Sequence, residues 1–184
     1  MTLKTELGER SYEIVLERGC LKKAGALLDL DRKALIVTDD GVPEEYAKTV
    51  AAACKDPVIE TIPQGEGSKS FPVLENLLSK MLAAGFSRSD CVVAVGGGVV
   101  GDLSALAAAL YMRGIDFYNI PTTLLSQADS SIGGKTGIDL DGVKNIVGTF
   151  SQPKKVLIDP DLLSTPICFR PFPRARSRRD TPRS

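Results

Sequence analysis

Apolar positions along this chain fall into short runs separated by polar, glycine-rich turns, and the period of each run predicts an element. Residues 3–7 and 12–16 are extended stretches flanking Gly8-Glu9, the pattern of a β-hairpin. Leu21, Ala24, Leu27 and Leu28 recur at helical spacing within 20–28. Residues 33–38 (KALIVT) read as a buried strand, and Pro43 introduces a helix over 44–53. Residues 58–62 are a further segment of strand type. Leu74, Leu77, Leu78, Met81 and Leu82 trace one face of a helix over 71–84 that stops at Gly85, a residue suited to a C-cap. Residues 91–95 (CVVAV) show no polar alternation, as a central parallel strand should. An alanine-rich helix over 102–111, a strand over 117–120 closed by Pro121, and a last strand over 155–158 complete the alternation. Repeated strand–helix units predict an α/β fold with a mostly parallel sheet. Residues 128–150 lack a period and are dense in Gly, Asp, Ser and Lys, as functional or mobile segments are.

Composition narrows the chemistry. The 184 residues are 43% hydrophobic and 25% charged, ordinary for a globular protein, with 23 basic and 23 acidic side chains and no histidine. Histidine-based catalysis and histidine-ligated metal sites are therefore excluded within these residues. No apolar run reaches membrane-spanning length, and the first 20 residues show no secretory signal. Cys20, Cys54, Cys91 and Cys168 form no C-x-x-C pair and read as reduced thiols of a cytoplasmic protein. The net charge of zero hides an asymmetry. Residues 1–165 carry 17 basic and 22 acidic side chains, whereas residues 166–184 carry six arginines, one aspartate and four prolines. That last stretch reads as a disordered tail on a folded body. A basic tail could meet nucleic acid, but no interleaved aromatics or folded nucleic-acid motif supports that partner.

Three clusters could carry chemistry. Gly96, Gly98 and Gly101 satisfy G-x-G-x-x-G between an apolar strand and a helix, where glycines let the backbone approach a pyrophosphate. The motif follows the third or fourth strand instead of the first, and no acid for a ribose ends the next strand. The alternative is a tight turn with Asp102 as helix cap. The second cluster, Pro63 to Lys69, offers Lys69 to a phosphate and Glu66 to hydroxyls. Alone it is equally a solvated loop opening a helix. The third, residues 121–145, gathers Thr122, Thr123, Asp129, Lys135, Lys144 and Asn145 among glycines. It is not a Walker A loop, and Arg113 adds a cation just before it.

In order and together, these blocks resemble the N-terminal half of 3-dehydroquinate synthase, a sugar-phosphate cyclase of the shikimate pathway. The resemblance spans about residues 3–165 and rests on GEGSK at 65–69, GGGVVGD at 96–102, RGIDFYNIPTTLLSQADSSIGGKTGID at 113–139 and KNIVGTFSQPKKVLIDPDLLST at 144–165. It implies a Rossmann-like nucleotide-binding domain holding NAD. Asp39 would meet the adenosine ribose, and Gln64, Gly65, Glu66, Gly67, Ser68 and Lys69 the cofactor. Gly98, Val99, Val100, Gly101 and Asp102 would hold the pyrophosphate region. Thr122 and Thr123 would contact the cofactor, and Leu162, Leu163, Ser164 and Thr165 would close its far edge. Arg113, Asp129, Lys135, Lys144 and Asn145 would line the substrate side, with Lys135 and Lys144 reaching cofactor as well. The implied substrate is 3-deoxy-D-arabino-heptulosonate 7-phosphate, and the resemblance is compatible with a homodimer.

The departures are as informative. After Thr165 the family continues with Leu-Pro and a G-x-A-E-x-x-K helix, where this chain reads PICFRPFPRARSRRDTPRS. The family's glutamate and histidine ligands for zinc or cobalt are missing from the sequence. The expectation is an NAD-binding domain over 1–165, a tail over 166–184 of out-of-frame origin, no helical metal-binding domain and little or no catalysis by these residues alone. Two alternatives are a related cyclase, such as a 2-deoxy-scyllo-inosose synthase, and a non-catalytic NAD-binding module.

Overall fold

The computed structural model describes residues 1–164; Thr165, Cys168 and the Arg/Pro-rich stretch 166–184 lie outside the described residues. Strands β1 (Thr2–Lys4), β2 (Glu13–Leu16), β3 (Lys33–Asp39), β4 (Asp56–Ile62), β5 (Cys91–Gly96), β6 (Asp116–Pro121) and β9 (Lys155–Ile158) form one sheet in the order β1-β2-β9-β6-β5-β3-β4. Every pairing is parallel except β1 with β2, the predicted hairpin. The helices are α1 (Ala24–Leu27), α2 (Glu44–Ala51), α3 (Phe71–Ala83) and α4 (Gly98–Leu110). No helix among the described residues is long and apolar enough to cross a membrane.

The central strands β3 and β5 are buried along nearly their whole length because both faces of the sheet are covered there. Ala34, Ile36, Cys91, Val93 and Val95 point to the side packed by α1 and α2. Leu35, Val37, Val92 and Ala94 point to the side packed by α3 and α4. All of these are fully buried. Pairing alternate residues with opposite layers follows from the two-residue period of a strand.

The connections fix where a ligand could sit. The β3–α2–β4 unit steps outward, and β4–α3–β5 returns past β3 on the other face. The reversal leaves a crevice between the carboxyl ends of β3 and β5, the position at which open α/β sheets bind ligands. The order β4-β3-β5-β6-β9 is the 2-1-3-4-5 arrangement. This explains why the glycine turn follows the third strand of the parallel unit: that strand borders the switch point.

Several elements differ from the sequence expectation. The helix over 20–28 is split into a 3₁₀ turn at Cys20–Lys23 and one α-turn. Helix α4 begins at Gly98, so Asp102 sits in its second turn and is not its cap. Propensity hid this start, because Gly and Val are weak helix formers, and here burial against β5 and β6 prevails. The stretch 128–150 is not wholly irregular. It holds a π-helical turn, Ser126–Ser130, and a separate hairpin of β7 (Ile138–Leu140) and β8 (Val143–Val147). The hairpin turns at Asp141-Gly142, both with positive φ, the two-residue loop such pairs favour.

Candidate functional site

At the switch point the glycines have separate jobs. A Cβ on Gly96 would lie 2.6 Å from the Val100 side chain, and one on Gly101 would lie 3.3 Å from Asn119, so these two let α4 close onto the sheet. Gly97 and Gly98 are half-buried at the start of α4. Among the described residues no side chain caps α4, and its first internal bond runs from the Gly101 N–H to the Gly97 carbonyl at 3.0 Å. The N–H groups of residues 98–100 are therefore outside the helical ladder, at the end where the helix field favours an anion. A Cβ on Gly98 would stand 3.0 Å from Ser130 Oγ, a buried hydroxyl without a hydrogen-bond partner among the described residues. A cradle of bare backbone with an orphaned hydroxyl beside it fits a pyrophosphate.

Loop 64–69 is tied to the end of β3. The Gln64 N–H donates to Asp40 Oδ1 at 2.8 Å, and the Gln64 side chain packs where a Cβ on Gly41 would be. Gly65 has φ 109°, a backbone state that needs glycine. Ser68 Oγ donates to the Pro63 carbonyl at 2.5 Å, tightening the turn that delivers Lys69. Asp39 is 8% exposed, and burial raises its pKa against the opposing hydrogen bonds from the Gly41 and Val42 backbone.

Lys69 is the junction. Its side chain is only 4% exposed, and Nζ donates to Asp102 Oδ2 at 2.7 Å and to Asn145 Oδ1. Glu66 Oε1 lies 3.9 Å from Lys69 Nζ and 3.7 Å from Lys144 Nζ. Burial raises the pKa of Asp102, while the Lys69 hydrogen bond and charge pull it down. Beside this junction opens a cleft of about 400 Å³ lined by Asp102, Asp129, Lys135 and Asn145, with Ile146 and Phe150 on its apolar side. Loop 64–69, the glycine turn and four of the five expected substrate-side residues, Asp129, Lys135, Lys144 and Asn145, thus meet around one cleft.

Some expected residues are placed otherwise. Arg113 follows the carboxyl end of α4 and precedes β6, so it lies at the opposite end of the sheet and is exposed. The Thr123 hydroxyl is engaged locally with Ser126 Oγ at 2.8 Å, capping the next turn, while its methyl lies against Gly97. Thr122 is buried beside the turn, its N–H bound to the Gly96 carbonyl at 2.9 Å. Leu162 is in the hydrophobic core, Leu163 is half-buried next to it, and Thr165 lies outside the described residues. The sequence reading missed Asp40, Thr136, Thr149 and Asp139, which hold loops together around the cleft. The signal for the last three was the Asp141-Gly142 hairpin, flanked by Ile138, Leu140, Val143 and Val147.

A switch-point crevice, an uncapped glycine-rich helix start and an adjoining cleft that mixes Lys135 with Asp102 and Asp129 are the marks of a Rossmann-like nucleotide-binding α/β domain. Residues 59–167 match the family profile described as 3-dehydroquinate synthase N-terminal, and the chain belongs to that family. It is 46% identical over 172 residues to 3-dehydroquinate synthase of Caulobacter vibrioides, covering 89% of this chain and 46% of that protein. For the Streptococcus suis 3-dehydroquinate synthase the identity is 45%, with 90% and 48% covered. The chain thus spans about half the length of the curated relatives it matches. Among solved structures, 2-deoxy-scyllo-inosose synthase complexed with carbaglucose-6-phosphate, NAD+ and Co2+ superposes with a TM-score of 0.82 at 27% identity, covering 88% of this chain and 46% of that one. The 2-epi-5-epi-valiolone synthase of Streptomyces hygroscopicus subsp. jinggangensis, with NAD+ and Zn2+ bound, gives 0.77 at 35% identity, with 88% and 46% covered.

Proposed function

We propose that this chain forms the NAD-binding half of a 3-dehydroquinate synthase site, the half that also meets the substrate phosphate. The observation that carries this is the Lys69 junction, where one buried ammonium joins loop 64–69, α4 and the β7–β8 hairpin at the edge of the cleft. The family reaction converts 3-deoxy-D-arabino-heptulosonate 7-phosphate to 3-dehydroquinate and phosphate, a step of aromatic amino-acid biosynthesis. Identity favours this over the other cyclases, at 46% against 35% and 27%.

NAD, when bound, supplies a hydride acceptor that regenerates within a turnover. In this reading the free N–H groups of 98–100 take its pyrophosphate, and Asp39 accepts from a ribose hydroxyl. Lys69 fixes Asp102 and the hairpin around the cofactor. Lys135, Lys144 and Asn145 hold the substrate phosphate and stabilise the charge that grows as it leaves. Asp129 orients a substrate hydroxyl across the cleft. Arg113 has no part in the cleft of its own chain.

The resemblance also implies zinc or cobalt. The residues here do not fit that group. The sequence has no histidine, and among the described residues no three Cys, Asp or Glu side chains gather to hold an ion. The metal-assisted step lies outside these 184 residues in this proposal, so they bind NAD without turning substrate over. Residues 1–165 are the NAD-binding domain and 166–184 a basic tail of other origin. A cytoplasmic setting and a homodimer belong to the same proposal; nucleic acid and membrane do not.

Calorimetric titration tests this. The chain should bind NAD saturably at one site, and Gly98→Val should abolish the heat; absence of NAD binding by the parent chain would sink the reading. Growth of a strain lacking dehydroquinate synthase on this chain alone would overturn the claim that it does not turn over.

A further inference from the structure

The β7–β8 hairpin has a defect at one point. Leu140 faces Val143 and Ile138 faces Val147, so the register shifts between them and residues 144–146 bulge opposite Asp139. Bulges beside functional sites re-aim a side chain. Within this bulge Asn145 has φ 54°, left-handed backbone that asparagine visits more readily than most residues but that still needs holding.

Asp139 supplies the hold from two directions. Its Oδ1 accepts the Asn145 N–H at 2.8 Å. Its own N–H donates to the Lys69 carbonyl at 2.9 Å. Lys69 Nζ then donates to Asn145 Oδ1, which closes a ring of three residues. With Oδ1 committed to an ammonium, the Asn145 amide keeps its Nδ2 hydrogens as donors, the polarity that an anion in the cleft requires.

We propose that Asp139 is the positioning residue of this site. Its carboxylate keeps Asn145 in the left-handed state, and its main chain docks the hairpin on Lys69, so that the amide meets a phosphate. The backbone part stands on geometry alone; the ligand part rests on the function proposed above. Asn at position 139 retains the acceptor oxygen, and Ala does not.

The test uses the full isotope-labelled chain. A residue with positive φ gives a strong intraresidue HN–Hα Overhauser effect. Asn145 should show it in the parent chain and in Asp139→Asn, and lose it in Asp139→Ala. Inorganic phosphate, titrated while amide shifts are followed, should bind Asp139→Ala about tenfold more weakly and Asp139→Asn within about twofold, as expected for one displaced hydrogen bond to a charged group. Persistence of the strong effect at Asn145 in Asp139→Ala overturns the proposal, as does its equal loss in Asp139→Asn. If Asn145 follows Asp139 as stated but phosphate perturbs nothing near Asn145 in the parent chain, the positioning role stands and the phosphate-site reading falls.

Discussion

The two ends of the central strands each carry a cation among carboxylates, and the two arrangements do opposite things. At the amino end Arg32 donates to Asp116 Oδ2 at 2.8 Å, Tyr118 Oη at 2.8 Å, the Ser89 carbonyl at 2.9 Å and the Asp29 carbonyl at 3.0 Å. Its guanidinium also lies 5.7 Å from the Tyr118 ring centre. Burial works against its charge, yet the Asp116 hydrogen bond and neighbouring charges raise its pKa overall. A planar fork uses several donors within one geometry and leaves little for a ligand. At the carboxyl end Lys69 offers a point charge whose acceptors come from α4 and a separate hairpin, with a cleft alongside. One end staples strand starts; the other joins loops that a ligand could rearrange. Burial of a charge pair therefore says little about function until its position on the sheet is known.

The largest expected effect separates the ends. Arg32→Ala leaves Asp116 and three other acceptors at the amino end without this partner, and should cost roughly 2–3 kcal/mol in urea unfolding. NAD affinity should stay within about twofold, measured by titration. A large loss of affinity would erase the distinction. Next comes Lys69→Met, which should weaken NAD or phosphate binding at least about tenfold while costing no more than about 1–2 kcal/mol of stability. Equal stability losses in the two variants would make Lys69 another staple.

Acidity sharpens the contrast. Burial raises the pKa of both Asp102 and Asp39, so the folded chain holds protons that the unfolded chain has released. Their contribution to stability is then fullest below the ordinary aspartate value of 3.8 and is lost as pH rises through the folded values. Lys69 opposes this for Asp102, so Lys69→Met should extend that window upward, read as a higher midpoint for the Asp102 carboxyl carbon in NMR titration. An unmoved midpoint would mean that Lys69 does not govern Asp102.

Legibility from sequence followed the same division. β3, β5 and α3 were plain because burial imposes unbroken apolar runs or a 3.6-residue period. The start of α4 was hidden because its glycines serve close packing and bare backbone, needs that override propensity. The glycine turn, Lys69 and Asn145 were recognised as chemistry, but their meeting through one ammonium was not, since 76 residues separate Lys69 from Asn145. Arg113 groups with the cleft residues in sequence yet lies at the other end of the sheet, because proximity to β6 along the chain says nothing of which strand end a residue occupies. Asp139 escaped notice since its role depends on a register shift that no periodicity records.

The smallest expected effect falls on Lys144. Its side chain is 68% exposed and its ion pair with Glu66 spans 3.7 Å, so the pair is well solvated. Exposed pairs of this kind contribute about 0.2–1 kcal/mol or less. Lys144→Ala should therefore leave the unfolding midpoint nearly unchanged. Yet Lys144 adjoins Asn145 in the bulge, and a cation there attracts a phosphate over several ångströms. Phosphate affinity should fall a few-fold at low salt, and the difference from the parent chain should shrink as ionic strength rises and screening shortens the reach of the charge. A salt-independent loss would point to a fixed direct contact instead. No loss at all would confine the phosphate-binding cations to Lys135 and the Lys69 junction.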